Sequence, residues 1–192
     1  MSKVQRVKRT QERHFSAHHM LINAASHAKK AAARKEPGWF YDHLAMMTFS
    51  ALAIEALCNS IGKRVVADWE DFESSSPNAK LRILAKQLAV PYDKEKEPWS
   101  TARWLVAFRN RIAHAKPEFI VEERIMTQEE HDKQLFDDPK SKLEKEISGG
   151  NADRALQAAE RIKDLLIEKL NPEDKFGLST DGWSGSTKAH DA

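Results

Sequence analysis

Between residues 39 and 62 the chain sets apolar side chains almost all the way round a helix. Phe40, Leu44, Met47, Ala51, Ile54, Cys58 and Ile61 recur at alternating four- and three-residue steps. Ala45, Phe49, Leu52, Ala53, Ala56 and Leu57 fill much of the remaining circumference. A helix apolar on every side must be enclosed by other elements. This stretch therefore predicts the centre of a helical bundle and constrains everything around it.

The flanking sequence supplies the enclosing helices. A first helix is expected over about 5–34, with Phe15, Leu21, Ile22, Ala25, Ala28 and Ala32 on one side, broken by Pro37-Gly38. Ser76-Pro77 reads as a helix start, with Leu81, Leu84 and Leu88 following and Pro91 closing it. Pro98 opens the next helix and Lys116-Pro117 stops it. Residues 118–126 are ambiguous and could be extended, while Thr127-x-x-Glu130 and Ser141-x-x-Glu144 have the capping-box pattern. Gly149-Gly150-Asn151 leads into a last helix carrying Leu156, Ala159, Ile162, Leu166 and Leu170, ended by Pro172. The expected fold is all-α: one domain over 1–172 with four to five core helices and a charged, partly helical insertion at 115–148. A flexible, disordered tail is expected over 173–192.

No apolar run approaches the ~20 residues a membrane span needs, so no membrane is expected. Cys58 is the single cysteine, which rules out an intrachain disulfide and points to a reducing, cytoplasmic setting. The net charge of +2 conceals an asymmetry, since residues 1–35 hold nine Lys/Arg against one acid, Glu12. Such a basic arm suits an anionic partner such as RNA, whose phosphates release counterions when neutralised. A solvated helix face reads the same composition equally well.

Chemistry concentrates in Phe108-Arg109-Asn110-Arg111-Ile112-Ala113-His114 at the end of an amphipathic helix. Arginine can hold phosphate bidentately, and histidine moves protons near neutral pH. With Trp104 at 0° on a helical wheel, Phe108, Ile112 and Leu105 place the core direction at about 50°. Arg109 then lies at about 140°, Asn110 at about 240° and His114 at about 280°. Asn110 and His114 share one outward face. The bland alternative is that these cations only complement the helix dipole and cap free carbonyls.

Glu55 tips that balance. A carboxylate inside Ala-Leu-Ala-Ile-Glu-Ala-Leu-Cys is costly to bury without a cation. Arg109 is the expected partner; solvent or a loop lysine is the alternative. A strip of small residues, Ala102, Val106 and Ala113, lies opposite the expected core. It would admit either a second copy of the chain or the first or last helix of the same chain. His14, His18 and His19 could bind metal but lack a nearby carboxylate or third ligand, so solvated histidines are expected. There is no Gly-rich phosphate loop, no H-E-x-x-H and no G-x-S-x-G.

The Arg-x4-His spacing of Arg109 and His114 at the end of a core helix resembles the HEPN superfamily of all-α domains. Asn110 stands where that family often has a polar residue. The helix containing Ser50 to Leu57 is similar to its acidic-residue-bearing helix. The resemblance covers roughly residues 14–114 and the last helix, and stops at 115–148 and the tail. It implies an endoribonuclease needing no metal and no cofactor, in which a 2′-hydroxyl attacks the adjacent phosphate. His114 would be general acid or base, Arg109 would neutralise the phosphoryl oxygens, Asn110 would orient His114 or the phosphate, and Glu55 would hold Arg109. Arg111 and Lys116 are the expected RNA contacts. The resemblance further implies a homodimer with two motifs facing one cleft, and a role as a toxin, with an antitoxin or other protein as candidate partner, or in phage defence. Two other readings stay open: a non-catalytic HEPN module binding RNA, nucleotide or a protein, and a helical interaction domain whose match is accidental.

Overall fold

Twenty-seven residues, Trp39–Val65, form the longest helix, and the rest of the bundle is arranged around it. In chain order the computed structural model has β1 (Arg6–Arg13), α1 (Ala17–Ala32), α2 (Trp39–Val65), a 3-10 turn (Trp69–Phe72), α3 (Pro77–Gln87) and α4 (Trp99–Ala113). It continues with α5 (Gln128–Lys133), α6 (Lys142–Glu146), α7 (Gly149–Glu168), α8 (Pro172–Lys175) and β2 (Trp183–His190). The structure describes residues 6–135, 137–178 and 183–190. The fold is an all-α bundle with one two-stranded sheet.

α1 and α2 form a helical hairpin, and α3, α4 and α7 pack on the other sides of α2. Met47, Cys58 and Ile61 are completely buried, and Ala51, Ile54 and Leu57 nearly so. By length and composition α2 is apolar enough to cross a membrane, contrary to the expectation that no segment reaches that length. Half of its most apolar window is buried against neighbouring helices. A central bundle helix and a membrane span share that composition for the same reason, since both are surrounded by hydrocarbon.

Local signals explain the helix ends. Ser76 Oγ accepts the Ala79 N–H and Pro77 occupies the first turn of α3. Thr127 with Glu130, and Ser141 with Glu144, form both reciprocal bonds of a capping box. α7 begins at Gly149 itself, with Ser148 Oγ on the Asn151 N–H, and Pro172 opens α8 rather than closing α7. At Gly62 the backbone of α2 passes directly under the Trp69 ring, and an added Cβ would sit 2.2 Å from it. Residues 118–126 are neither helix nor strand, and they expose Phe119, Val121 and Ile125.

Three expectations are corrected at the ends of the chain. The first helix starts at Ala17, not near residue 5, which itself lies outside the described residues. Residues 6–13 instead form β1, antiparallel to β2 with Arg6 opposite His190 and Arg13 opposite Trp183. The tail expected to be disordered over 173–192 therefore supplies α8 and a strand, while 179–182 and 191–192 lie outside the described residues. Leu178, six residues past the expected domain end, is fully buried in the core. Burying a leucine completely is worth ~1.5–3 kcal/mol, enough to hold the segment down.

Candidate functional site

α4 carries the Arg-Asn-x-x-x-His string, and α2 presents Glu55 to it. Arg109 Nη2 donates to Glu55 Oε2 at 2.6 Å, with the two side chains 27% and 30% exposed. The grip is single rather than bidentate. Arg109 Nε is buried without a hydrogen-bond partner. Glu55 therefore holds the guanidinium at the edge of the core while leaving most of its donors unengaged by described residues.

Around α4 the buried side chains are Trp99, Thr101, Ala102, Leu105, Val106 and Phe108. Their mean direction on the wheel is about 130°, displaced from the expected 50°. The shift has a physical cause: α2, α3 and α7 all pack against α4, and Ala102 and Val106 are 0% and 5% exposed among them. Ala102 and Val106 are thus covered within the chain while Ala113 stays exposed, so the buried part of the strip cannot seat a second copy. Trp104, expected at the core centre, is only half-buried. Arg109 becomes more central to the buried side than the wheel placed it, which makes its pairing with Glu55 more necessary.

Asn110, Arg111, Ala113 and His114 are exposed. His114 is the C-cap residue of α4, its N–H bonded to Asn110 O at 3.1 Å. Neither the His114 ring nor the Asn110 amide makes a side-chain hydrogen bond to a described residue, so Asn110 does not orient His114 in this conformation. Arg111, expected on RNA, instead donates from Nη2 to Glu146 Oε2 at 2.5 Å. The same oxygen accepts Trp104 Nε1–H at 3.1 Å, and Arg154 lies 4.7 Å over the Trp104 ring. Glu146 so fastens the insertion to the motif helix. Lys116 is exposed just past the helix.

Beside the pair, α2 continues its polar edge with Asn59, one turn after Glu55. The Lys80 ammonium, on a side chain 1% exposed, donates to Asn59 Oδ1 at 2.9 Å. Cys58, completely buried, has its thiol pushed up to about 12 by loss of solvent and is inert packing. Two cavities of about 450 Å³ each are lined, one by insertion residues such as Glu122, Arg124 and His131, the other by Arg64, Gln87 and Asn171. Neither includes Arg109, Asn110 or His114. Among the described residues no cluster of three or more His, Cys, Asp or Glu is placed to hold a metal ion.

The N-terminal histidines have a different part from the solvated one expected. His18 is fully buried, and Nε2 of both His18 and His19 binds Leu178 O, at 3.0 and 2.7 Å. Ser16 Oγ donates to Gly177 O at 2.7 Å, and Arg64 Nη1 donates to Asp174 O and Phe176 O at 2.5 and 2.7 Å. Gly177 has φ +71°, and an added Cβ would lie 2.9 Å from His14 Cβ. These residues fasten the 171–178 segment over the ends of α1 and α2. Sequence reading missed this latch because each bond joins positions about 110 to 160 residues apart.

Comparison with protein-family models, with curated proteins and with solved structures gave no match.

Proposed function

We propose that this chain is a metal-independent endoribonuclease of HEPN type, acting in the cytoplasm as a toxin or phage-defence effector. The observation that carries the reading is the Arg109–Glu55 pair, half-buried at the core edge of the helix that ends in His114. A guanidinium braced by a carboxylate keeps its orientation, and one that keeps donors free can neutralise charge developing on a phosphoryl oxygen. An exposed imidazole can reach an RNA 2′-hydroxyl or a leaving oxygen as general base or acid.

Arg109 and His114 diverge by about 140° around α4 and about 7.5 Å along it. One phosphate cannot readily meet both from a single chain. A homodimer in which Arg109 of one copy faces His114 of the other removes that difficulty, with Asn110 and Ala113 on the exposed face between them. The test is cleavage of RNA by the purified chain in EDTA, leaving 2′,3′-cyclic phosphate ends and sparing DNA, which lacks the nucleophile. Activity unchanged in His114→Ala would end the proposal.

A second reading has its own observation in its favour. His114 and Asn110 lack positioning hydrogen bonds among the described residues and line neither 450 Å³ cavity. A non-catalytic module that uses the same basic helix end to bind RNA, nucleotide or a protein partner, such as an antitoxin, needs no such positioning. Salt-sensitive RNA binding without cleavage would select it.

A further inference from the structure

β1 and β2 build a ribbon along which no described helix packs, and the side chains of 7–13 and 183–188 are all exposed, Val7 and Trp183 included. A two-stranded ribbon alone is at best marginally stable in water. This one is fastened at its base, where Ser16, His18, His19 and Arg64 hold residues 174–178. Its composition is lopsided, with five Lys/Arg and a single carboxylate, Glu12, over the two strands. Lys8 stands directly opposite Lys188 on one face, while Arg9 opposite Thr187 points to the other. Like charges paired across strands destabilise a ribbon that is already marginal. Polyanion binding turns that repulsion into attraction.

We infer that this ribbon is an RNA-binding arm, in which Lys8, Arg9 and Lys188 track the phosphate backbone on both faces of the strands. The choice of RNA rests on the ribonuclease reading above; the charge pattern itself calls for a phosphodiester polyanion. Arg64, at the ribbon's base, is nine residues beyond Glu55 on α2, about 14 Å at the helical rise. The arm and the Arg109–Glu55 pair are therefore within the span of one RNA strand. Contacts to phosphate set position and affinity without reading sequence.

The test is fluorescence anisotropy of the full chain with a labelled single-stranded RNA, in a His114→Ala background so that the probe stays whole. Lys8→Gln/Arg9→Gln/Lys188→Gln is compared with an equal charge change elsewhere, Lys30→Gln/Lys86→Gln/Lys142→Gln. Each lost phosphate contact removes about 0.7 from the slope of log K against log salt. The ribbon variant is expected to show a slope shallower by about 2 and at least about tenfold weaker binding, with the control near the parent. An unchanged slope in the ribbon variant overturns the inference, as does a variant that only aggregates more, since the cations would then merely guard strand edges. Equal or tighter binding of single-stranded DNA overturns the assignment to RNA. If the wild-type chain binds RNA through the ribbon yet cuts none, the arm stands and the nuclease reading fails. If it cuts RNA while the ribbon variant binds as before, the reverse holds.

Discussion

Arg109 Nη2 lies 2.6 Å from Glu55 Oε2, joining α4 to the central helix across 54 residues of sequence. The contact does two things at once. It neutralises a carboxylate embedded in an apolar helix, and it fixes the one motif side chain that faces inward. Arg109 Nε is already buried without a partner, so removing Glu55 would leave the guanidinium with no described acceptor.

Glu55→Ala is therefore expected to lower both stability and RNA cleavage. The pair is partly exposed, so the loss is ~1–2 kcal/mol, below the range for fully buried pairs. For a chain of this length each kcal/mol lowers Tm by about 2–4 °C. Glu55→Gln, which can still accept a hydrogen bond, should keep most of the stability and lose more of the activity. A Glu55→Gln enzyme that cleaves RNA at the wild-type rate would show that the carboxylate only serves packing.

Gly62→Ala tests the fold independently of the site. Its Cβ would meet the Trp69 ring at 2.2 Å, and that ring is itself 1% exposed with no room to retreat. Overpacking of this kind costs ~1–3 kcal/mol. Chemical denaturation should show the loss as a lower midpoint with an unchanged slope, and Gly150→Ala, open to solvent in the same α-helical setting, should show none.

The centre of the molecule was legible because its signals are local. The circumference of α2, the Ser76, Thr127 and Ser141 caps, and the demand of Glu55 for a cation all depend on residues a few positions apart or on a single electrostatic necessity. The ribbon was not legible. Residues 6–13 have no alternating apolar pattern, and their strand conformation comes from pairing with residues 170 or more positions away. His18 is buried by Leu178, again from the opposite end of the chain. On α4 the wheel was centred on the bulky Trp104 and Phe108, whereas the small side at Ala102 and Val106 is buried within the chain as well. Size marks what can be buried, not which side another helix will cover.

His18 predicts a pH dependence. Burial lowers its pKa from 6.5 to about 4, outweighing the bond to Leu178 O. In the neutral ring Nε2–H donates to that carbonyl, and Nδ1 is buried with no partner for a second proton. The unfolded chain binds the proton between pH 6.5 and 4 and the folded chain does not, so stability is full above about pH 6.5 and is lost as pH falls through that window. The size is ~3 kcal/mol at most, from the value of one pKa unit. Urea midpoints measured from pH 7.5 to 4.5 should fall, and His18→Gln, whose amide can still donate to Leu178 O, should flatten this part of the profile. An equal slope in the variant would assign the acid sensitivity to other groups.

A site shared between two copies makes a sharper prediction than the dimer itself. Light scattering should give about twice the 21.9 kDa chain mass, but a dimer alone does not say where the chemistry sits. Arg109→Ala and His114→Ala are each expected to be nearly inactive, since losing one acid–base or charge-stabilising group costs ~10²–10⁴-fold. His114→Ala should keep the wild-type Tm, because the residue is exposed and holds no side-chain hydrogen bond among the described residues. If Arg109 of one chain acts with His114 of the other, unfolding and refolding an equal mixture of the two inactive variants creates heterodimers. In each heterodimer one of the two symmetry-related sites has both residues intact. Half the dimers are mixed, so activity should return to about a quarter of wild type. If each site uses Arg109 and His114 of the same chain, every site in the mixture lacks one of them and nothing returns. Recovery in the mixture would therefore place the 140° separation of the two side chains at the centre of the mechanism, while its absence in a proven dimer would require α4 to bend so that one chain brings both to the same phosphate.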